Sequence, residues 1–593
     1  MGNCRAELLR RFDREGIAIN EHEIVRFIED AHPDRIYSDE ELFELIAFDL
    51  KEDPTEKNNK WELFFGPNWL LPDGKGGMVD LPAASVLSTE TIAYWKRRAN
   101  KAINPMMKAR YADLVWTLEE TVSGESRNYK YAMLAIDSYI DTAIQKAHHS
   151  AVRIIDKLER ALSLAFFLGD KSRVQLVADE MLSLEDEIAE DNKRGLWGFS
   201  FDNLIEPGKV ILADKQVEKI ISDLEARLER MSILHGDGAD PWAAEAAALR
   251  LARYYRRRNL HEDKHRVMRK TYSVFQNSID PKDYTRALAW LQHMYDLFIE
   301  FEMNDDANEV TVQIAKVGTY ALKEQEEHTI SHSISGKEME AFLDNMTRGD
   351  LDDSLLRLIA RYLPKRKIVE NQLESYSKKF FSLHLSSTVL QDFKGRPIAT
   401  IGPIDSDWEG HLVRTISQNM SMSSIFLARL IDRILMKFDV TSEGLCSWIL
   451  QSPIVEEYQY GIICRGIDAY FSQDYISSMH LLIPQLEAII RNLTEKMGQS
   501  VFRKNKYGGF QYRTLGELIG NGCIRELFNE DVELYLTVLL TDQRGWNLRN
   551  TVCHGLNPTE YFGRTQCDRV IHAVLLLSAV REDQSAIETG ENS

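Results

Sequence analysis

The sequence predicts a mainly α-helical protein: a helical-repeat, α-solenoid-like N-terminal half followed by a C-terminal helical bundle. Three observations carry this prediction. Apolar residues recur at spacings of three and four through most of the chain, the signature of helices with one buried face. The 593 residues are 44% hydrophobic and 28% charged with only 15 Pro and 32 Gly, the balance of a helix-rich protein rather than a disordered or fibrous one. Only Ile398-Ala399-Thr400-Ile401, bounded by Gly395 and Gly402, has clear strand character, so at most one small β hairpin is expected near 390–402.

The chain is too long for a single core, two to four domains are expected, and four segments can be read along it. Residues 1–90 mix helical pieces with a turn at Asp73-Gly74-Lys75-Gly76-Gly77, which lacks the Lys-Ser/Thr spacing of a phosphate-binding loop. Residues 91–320 read as an array of helical hairpins. Ile154, Ile155, Leu158, Ala161, Leu162 and Ala165 form one apolar stripe, Gly169-Asp170 breaks it, and Val174 to Leu182 resumes it. The same scheme recurs around Asn259 and around Asn304-Asp305-Asp306. Helix, polar turn, helix, repeated at roughly 30 to 40 residues, describes a solenoid that binds or positions a partner. Residues 321–445 form a middle region with a helix ending before Pro364. Residues 446–593 form the terminal bundle, with helices expected at 455–471, 474–497, 514–528, 531–553 and 559–582.

Composition narrows the setting. The formal charge of −20 argues against broad coating of nucleic acid but leaves room for a local basic cleft. Val570 to Val580, the longest apolar run, is interrupted by His572 and is too short to span a bilayer. Met1-Gly2-Asn3-Cys4 departs from the acylation pattern at Ala6, and Glu7 and Asp13 interrupt any secretory signal, so no membrane association is expected. Cys4, Cys446, Cys464, Cys523, Cys553 and Cys567 are scattered singly, which points to a reducing cytoplasm.

The most informative segment is Arg549-Asn550-Thr551-Val552-Cys553-His554-Gly555. A helix carrying Leu548 and Val552 is expected to stop here, because Gly555 suits the position after a helix and Pro558 cannot continue it. A permanent cation and an imidazole held at a helix end can assist phosphate chemistry without a metal. The alternative is structural: Arg549 pairs with a carboxylate such as Glu487, and His554 caps the helix end. On an ideal helix, residues five apart point about 140° away from each other. Both side chains can therefore face one substrate only if the helix ends before His554 or a second subunit completes the site.

R-N-x-x-x-H-G resembles the signature of a large domain family named for that motif. It also resembles the R-x₄₋₆-H pattern of the HEPN superfamily. Met479 to Arg491 is similar to the helix that precedes the motif there, and Gly516-Glu517-Leu518-Ile519 and Gly545-Trp546-Asn547-Leu548 are similar to its linking segments. The likeness covers about the last 150 residues, and 320–445 more loosely. It implies a bundle of four to five helices and a metal-independent, cofactor-free endoribonuclease acting as a homodimer through its C-terminal domain. A toxin or antiphage defence effector is the implied role, with a protein or phage trigger engaging the N-terminal array. On this reading the RNA 2′-hydroxyl attacks the adjacent phosphorus. His554 serves as general base or acid, Arg549 steadies the non-bridging oxygens, and Asn550 orients His554 or the phosphate. Glu487 is a supporting partner for Arg549. Arg491, one turn on, is expected to pair with Glu487, and His480 is expected on the same face as Glu487.

Between 491 and 513 the cations Arg491, Lys496, Arg503, Lys504, Lys506 and Arg513 face Glu495 alone, with Tyr507, Phe510 and Tyr512 interleaved. Arg503, Lys504, Lys506, Tyr507 and Arg513 are candidate RNA contacts, cations for phosphate and a ring for an exposed base; the alternative is a solvated basic loop. His261-Glu262-Asp263-Lys264-His265 matches the H-E-x-x-H zinc pattern, but its charged middle and arginine-rich flanks argue against a protease helix. His328 and His332 lack a third ligand, and Cys553 reads as a small buried hydrophobe rather than a nucleophile. A non-catalytic scaffold that binds RNA, nucleotide or protein remains the rival class.

Overall fold

The computed structural model describes residues 10–582 except 54, 56–60, 73–77, 209, 211, 234–239 and 325–334. The Asp73–Gly77 turn and the His328/His332 pair lie outside the described residues. The chain is mainly α-helical with repeat-like helix packing. It divides into two compact units: residues 1–282 with 292–309, and residues 283–291 with 310–593. No described helix is long and apolar enough to cross a membrane.

The first unit is built from helical hairpins whose turns follow residue chemistry. Gly169 adopts φ 66 to end the Ala151–Leu168 helix, and the Asp170 side chain accepts from the Arg173 backbone N–H at 3.0 Å to start Lys171–Ile188. Asn259, at φ 57, turns the Pro241–Arg257 helix into His261–Asn277. The central helix is Pro105–Ser123, capped by the Asn104 side chain and buried on nearly every face. Residues 1–90 are not a separate body. Phe12, Ile24, Ile28 and Phe65 pack into the same core as Trp95, Tyr111 and Leu158.

This core also holds charge. Lys157, 3% exposed, donates to Glu21 at 2.9 Å and to Glu52 at 2.5 Å. Arg110 donates to Glu52 at 2.6 Å and to the Ala47 carbonyl at 2.7 Å. Burial pushes the Glu21 and Glu52 carboxyls up, but Lys157, joined by His148 at Glu21 and by Arg110 at both, outweighs it and holds both below the ordinary range.

In the second unit, one core runs from Leu343 to Leu577, across the boundary expected at 445/446. The Arg564–Ser578 helix makes that continuity. Its fully buried Arg569 donates to the carbonyls of Tyr362 and Met420 and to Ser423 Oγ at 3.2, 2.9 and 2.7 Å. His572 bonds the Ile359 carbonyl at 3.1 Å and the Tyr535 hydroxyl at 2.8 Å. The helices Leu351–Tyr362 and Trp408–Lys437 are thereby fastened to the C-terminal bundle. Tyr460–Phe471 and Tyr475–Lys496 form a close pair, where a Cβ on Gly466 would sit 2.6 Å from Leu482 Cδ2.

Three expectations are corrected. The hairpin near 390–402 exists, Thr388–Gln391 against Pro397–Ile401, but three further ladders join it: Lys51–Glu52 with Phe65–Gly66, Trp69–Pro72 with Met78–Leu81, and Phe502–Lys504 with Phe510–Tyr512. Strands of two to four residues are too short to show alternation. The helices expected at 514–528 and 531–553 are each broken, into Leu515–Ile519 and Cys523–Leu527, and into Glu530–Leu540 and Leu548–Cys553. Cys446 and Cys464, 18 residues apart, form a disulfide with Cα atoms 5.5 Å apart; spacing alone did not disclose the pair, so cysteine usage no longer argues for a reducing compartment.

Candidate active site

The motif occupies a helix of only six residues, Leu548–Cys553. Its entry is a tight reversal after Glu530–Leu540. The Trp546 N–H donates to the Val538 carbonyl at 2.8 Å, and a Cβ on Gly545 would collide with that same carbonyl oxygen. Asn547 then takes φ 51, a left-handed conformation that Asn tolerates better than most residues. Leu548 and Val552 are buried and fix the helix from beneath.

This anchoring sets the directions of the motif side chains. Arg549 Nε donates to Glu487 Oε2 at 3.0 Å, and its Nη1 donates to Asn550 Oδ1 at 3.3 Å. Asn550 Nδ2 donates in turn to Asn547 Oδ1 at 2.8 Å, which fixes the amide. The other oxygen of Glu487 accepts from Arg491 Nη2 at 2.9 Å, and the Arg491 guanidinium lies 4.8 Å from the Tyr512 ring centroid. One carboxylate therefore sits between two guanidinium groups, each with more than a fifth of its side chain exposed (Arg549 27%, Arg491 21%). Among the described residues, Arg549 Nη2 has no hydrogen-bond partner.

The helix ends before His554, meeting the condition that the 140° offset imposed. His554 is the C-cap residue, with φ −97 and ψ 4, and Gly555 follows at φ 62. Its ring is exposed and has no side-chain or carbonyl partner among the described residues. Cys553 is exposed rather than buried, because it falls on the outer side of this last turn. Partial burial raises its thiol pKa, with Glu487 adding to the shift and Arg549 opposing it.

His480 does not join the set. Its Nδ1 bonds the Ile476 carbonyl at 2.8 Å and its ring stacks on Phe562 at 5.2 Å.

The basic segment forms the fully exposed hairpin Phe502–Lys504/Phe510–Tyr512. Tyr507 at its tip is 83% exposed and Phe510 75%. Arg503 is partly spent on Glu517 at 2.9 Å, and Lys506 lies 5.1 Å from the Tyr507 ring. Lys504 has no partner among the described residues. The Arg513 backbone N–H closes the hairpin onto Val501 at 2.8 Å, and its buried Nε has no hydrogen-bond partner. Two participants, Asn547 and Tyr512, were noticed in the sequence but given no site role. The Asn547/Asn550 spacing was a usable signal for the first; the contact of Arg491 with Tyr512 had none.

The H-E-x-x-H segment opens the His261–Asn277 helix. Lys264, in its middle, is buried and donates to the Phe301 carbonyl at 2.6 Å. Burial, then Lys264 beside it, lowers the His265 pKa. Among the described residues no cluster of three or more His, Cys, Asp or Glu is placed to hold a metal ion.

A family model described as a domain of unknown function, DUF7380, matches residues 57–176. That stretch lies in the first unit and includes Arg110 and Lys157. Comparison with curated proteins and with solved structures returns no match.

Proposed function

We propose that the second unit is a metal-independent endoribonuclease of the HEPN type. The observation that carries this reading is the end of the motif helix at Cys553, which leaves the His554 ring open to solvent while Arg549 keeps an unspent Nη2. His554 takes the proton of an RNA 2′-hydroxyl; the 2′-oxygen bonds to the adjacent phosphorus; the bond from phosphorus to the 5′-oxygen breaks, and that oxygen is reprotonated. Arg549, oriented by Glu487 and Asn550, donates to the non-bridging oxygens as charge builds. A two-fold dimer supplies a second His554 for the opposite proton transfer. Arg503, Lys504, Lys506, Tyr507 and Arg513 bring phosphates and exposed bases to the site. As a cytoplasmic toxin or antiphage effector, the enzyme would be released by a trigger bound to the helical array.

One observation favours the rival reading. Glu487 already pairs with Arg549 at 3.0 Å, as in a non-catalytic scaffold that binds RNA or nucleotide. Labelled RNA incubated in chelator with wild type, His554→Ala and Arg549→Ala separates the two. The ribonuclease gives products ending in 2′,3′-cyclic phosphate that both variants lose. A scaffold binds the RNA without cutting it.

A further inference from the structure

We propose that the first unit carries a mononucleotide-binding cleft in which Arg194 and Arg253 hold the phosphate and Trp242 stacks the base. The cleft has a volume of about 330 Å³. That falls at the lower end of the range for small-ligand pockets, roughly 300–1,000 Å³. Its walls carry three guanidinium groups, of Arg194, Arg250 and Arg253, against the two carboxylates of Asp202 and Glu245.

Both carboxylates are already taken. Asp202 accepts two bonds from Arg250, at 2.9 and 2.6 Å. Arg250 is itself fixed by a bond to the Ala246 carbonyl at 2.9 Å and lies 5.5 Å from the Trp197 ring centroid. It passes close over Gly198, where a Cβ would sit 2.6 Å from its Cζ. Glu245 is bonded to His293 at 2.7 Å. What remains is Arg194 and Arg253, neither with a carboxylate, carbonyl or ring partner among the described residues. Two uncompensated guanidinium groups in a concavity, on a chain of net charge −20, are suited to a phosphate dianion.

The aromatic component is equally defined. Trp242 is held edge-on by Phe275, with centroids 5.1 Å apart, and tilted against His293 at 5.5 Å. It is still 39% exposed at the cleft. A fixed, part-open indole is a stacking surface for a planar heterocycle. Phosphate and heterocycle in one molecule define a nucleotide, and the volume admits one nucleotide rather than a strand.

Calorimetric titration of the full chain with AMP, GMP, CMP and UMP, and with adenosine and inorganic phosphate as fragments, tests the assignment. At least one nucleotide should bind saturably. Its own nucleoside (adenosine if it is AMP) and phosphate should each bind about tenfold more weakly or worse, and Arg194→Ala and Arg253→Ala should each weaken the nucleotide by a similar factor. Because neither arginine makes an internal bond, both variants should keep the wild-type melting temperature. Trp242→Phe should retain binding and Trp242→Leu should weaken it. No saturable binding by any of the four nucleotides at millimolar concentration would overturn the proposal. So would binding that persists unchanged in the Arg194→Ala/Arg253→Ala double variant.

Discussion

The two units each hold a three-membered ionic arrangement, with inverted charge and with cations of different exposure. In the first, the cation Lys157 lies between the carboxylates of Glu21 and Glu52 and is 3% exposed. In the second, the carboxylate of Glu487 lies between Arg491 and Arg549, whose side chains are 21% and 27% exposed. The buried version has no capacity left for a ligand, since Glu52 also serves Arg110. The second version, whose arginines are about a quarter exposed, leaves Arg549 Nη2 unspent. Burial of the cation, more than residue type, separates a closed ionic cluster from one that keeps a donor open to solvent.

The largest expected effect breaks the buried member. Lys157→Met leaves Glu21 and Glu52 facing each other in the core with only His148 and Arg110 as partners, and should cost about 3–5 kcal/mol of stability. Arg491→Ala, at the exposed cluster, should cost about 0–1 kcal/mol. Urea unfolding of the two variants measures the contrast directly; equal costs would dissolve it.

Acid separates the units next. Burial, with Arg569 adding, pushes the His572 pKa down to about 3, against an unfolded value of about 6.5. The unfolded state then binds more protons between those values, so this contribution to stability shrinks as pH falls from about 6.5 and is exhausted near 3. Glu21 and Glu52, held low in the native state, contribute fully above the unfolded carboxylate range and lose that contribution only below about 4.3. Hydrogen exchange followed from pH 7 to 4 should therefore show the second unit loosening first. His572→Phe should flatten that early loss.

Smaller effects test the site. Gly545→Ala drives a methyl into the Val538 carbonyl and should cost about 1–3 kcal/mol while displacing the motif helix, which thermal melting and RNA cleavage would both register. Tyr507→Ala, at the hairpin tip, should leave stability within about 0.5 kcal/mol. It should weaken RNA binding by about 1–3 kcal/mol, the value of one stacked base. Unchanged RNA affinity would make the hairpin a solvated surface loop.

How legible each part was in the sequence follows from range. The polar turns at Gly169-Asp170 and Asn259 act over a few residues, and both were read correctly, as was the hairpin near 390–402. The break before the motif was not. Tyr535, Leu536, Leu539, Leu548 and Val552 maintain an apolar pattern across it, and the reversal depends on the φ of Asn547 and on space at Gly545. Lys157 and Arg110 were equally hidden, since a buried cation is recognisable only once its carboxylates, 58 or more residues away in the chain, are placed. At the site, the likeness of the motif directed attention to Arg549, Asn550 and His554, and Glu487 was anticipated as a partner. The seating of Arg491 on Tyr512 and the diversion of His480 to Phe562 depend on tertiary packing that no spacing encodes.

The most direct test of the central claim is a single-turnover assay of labelled RNA in excess chelator, with wild type and His554→Ala at matched folded concentration. The account predicts cleavage by the wild type to 2′,3′-cyclic phosphate ends, and a fall of about 100-fold or more in the variant with its melting temperature unchanged. Equal cleavage by both proteins, or wild-type cleavage that appears only when a divalent metal is restored, would contradict it.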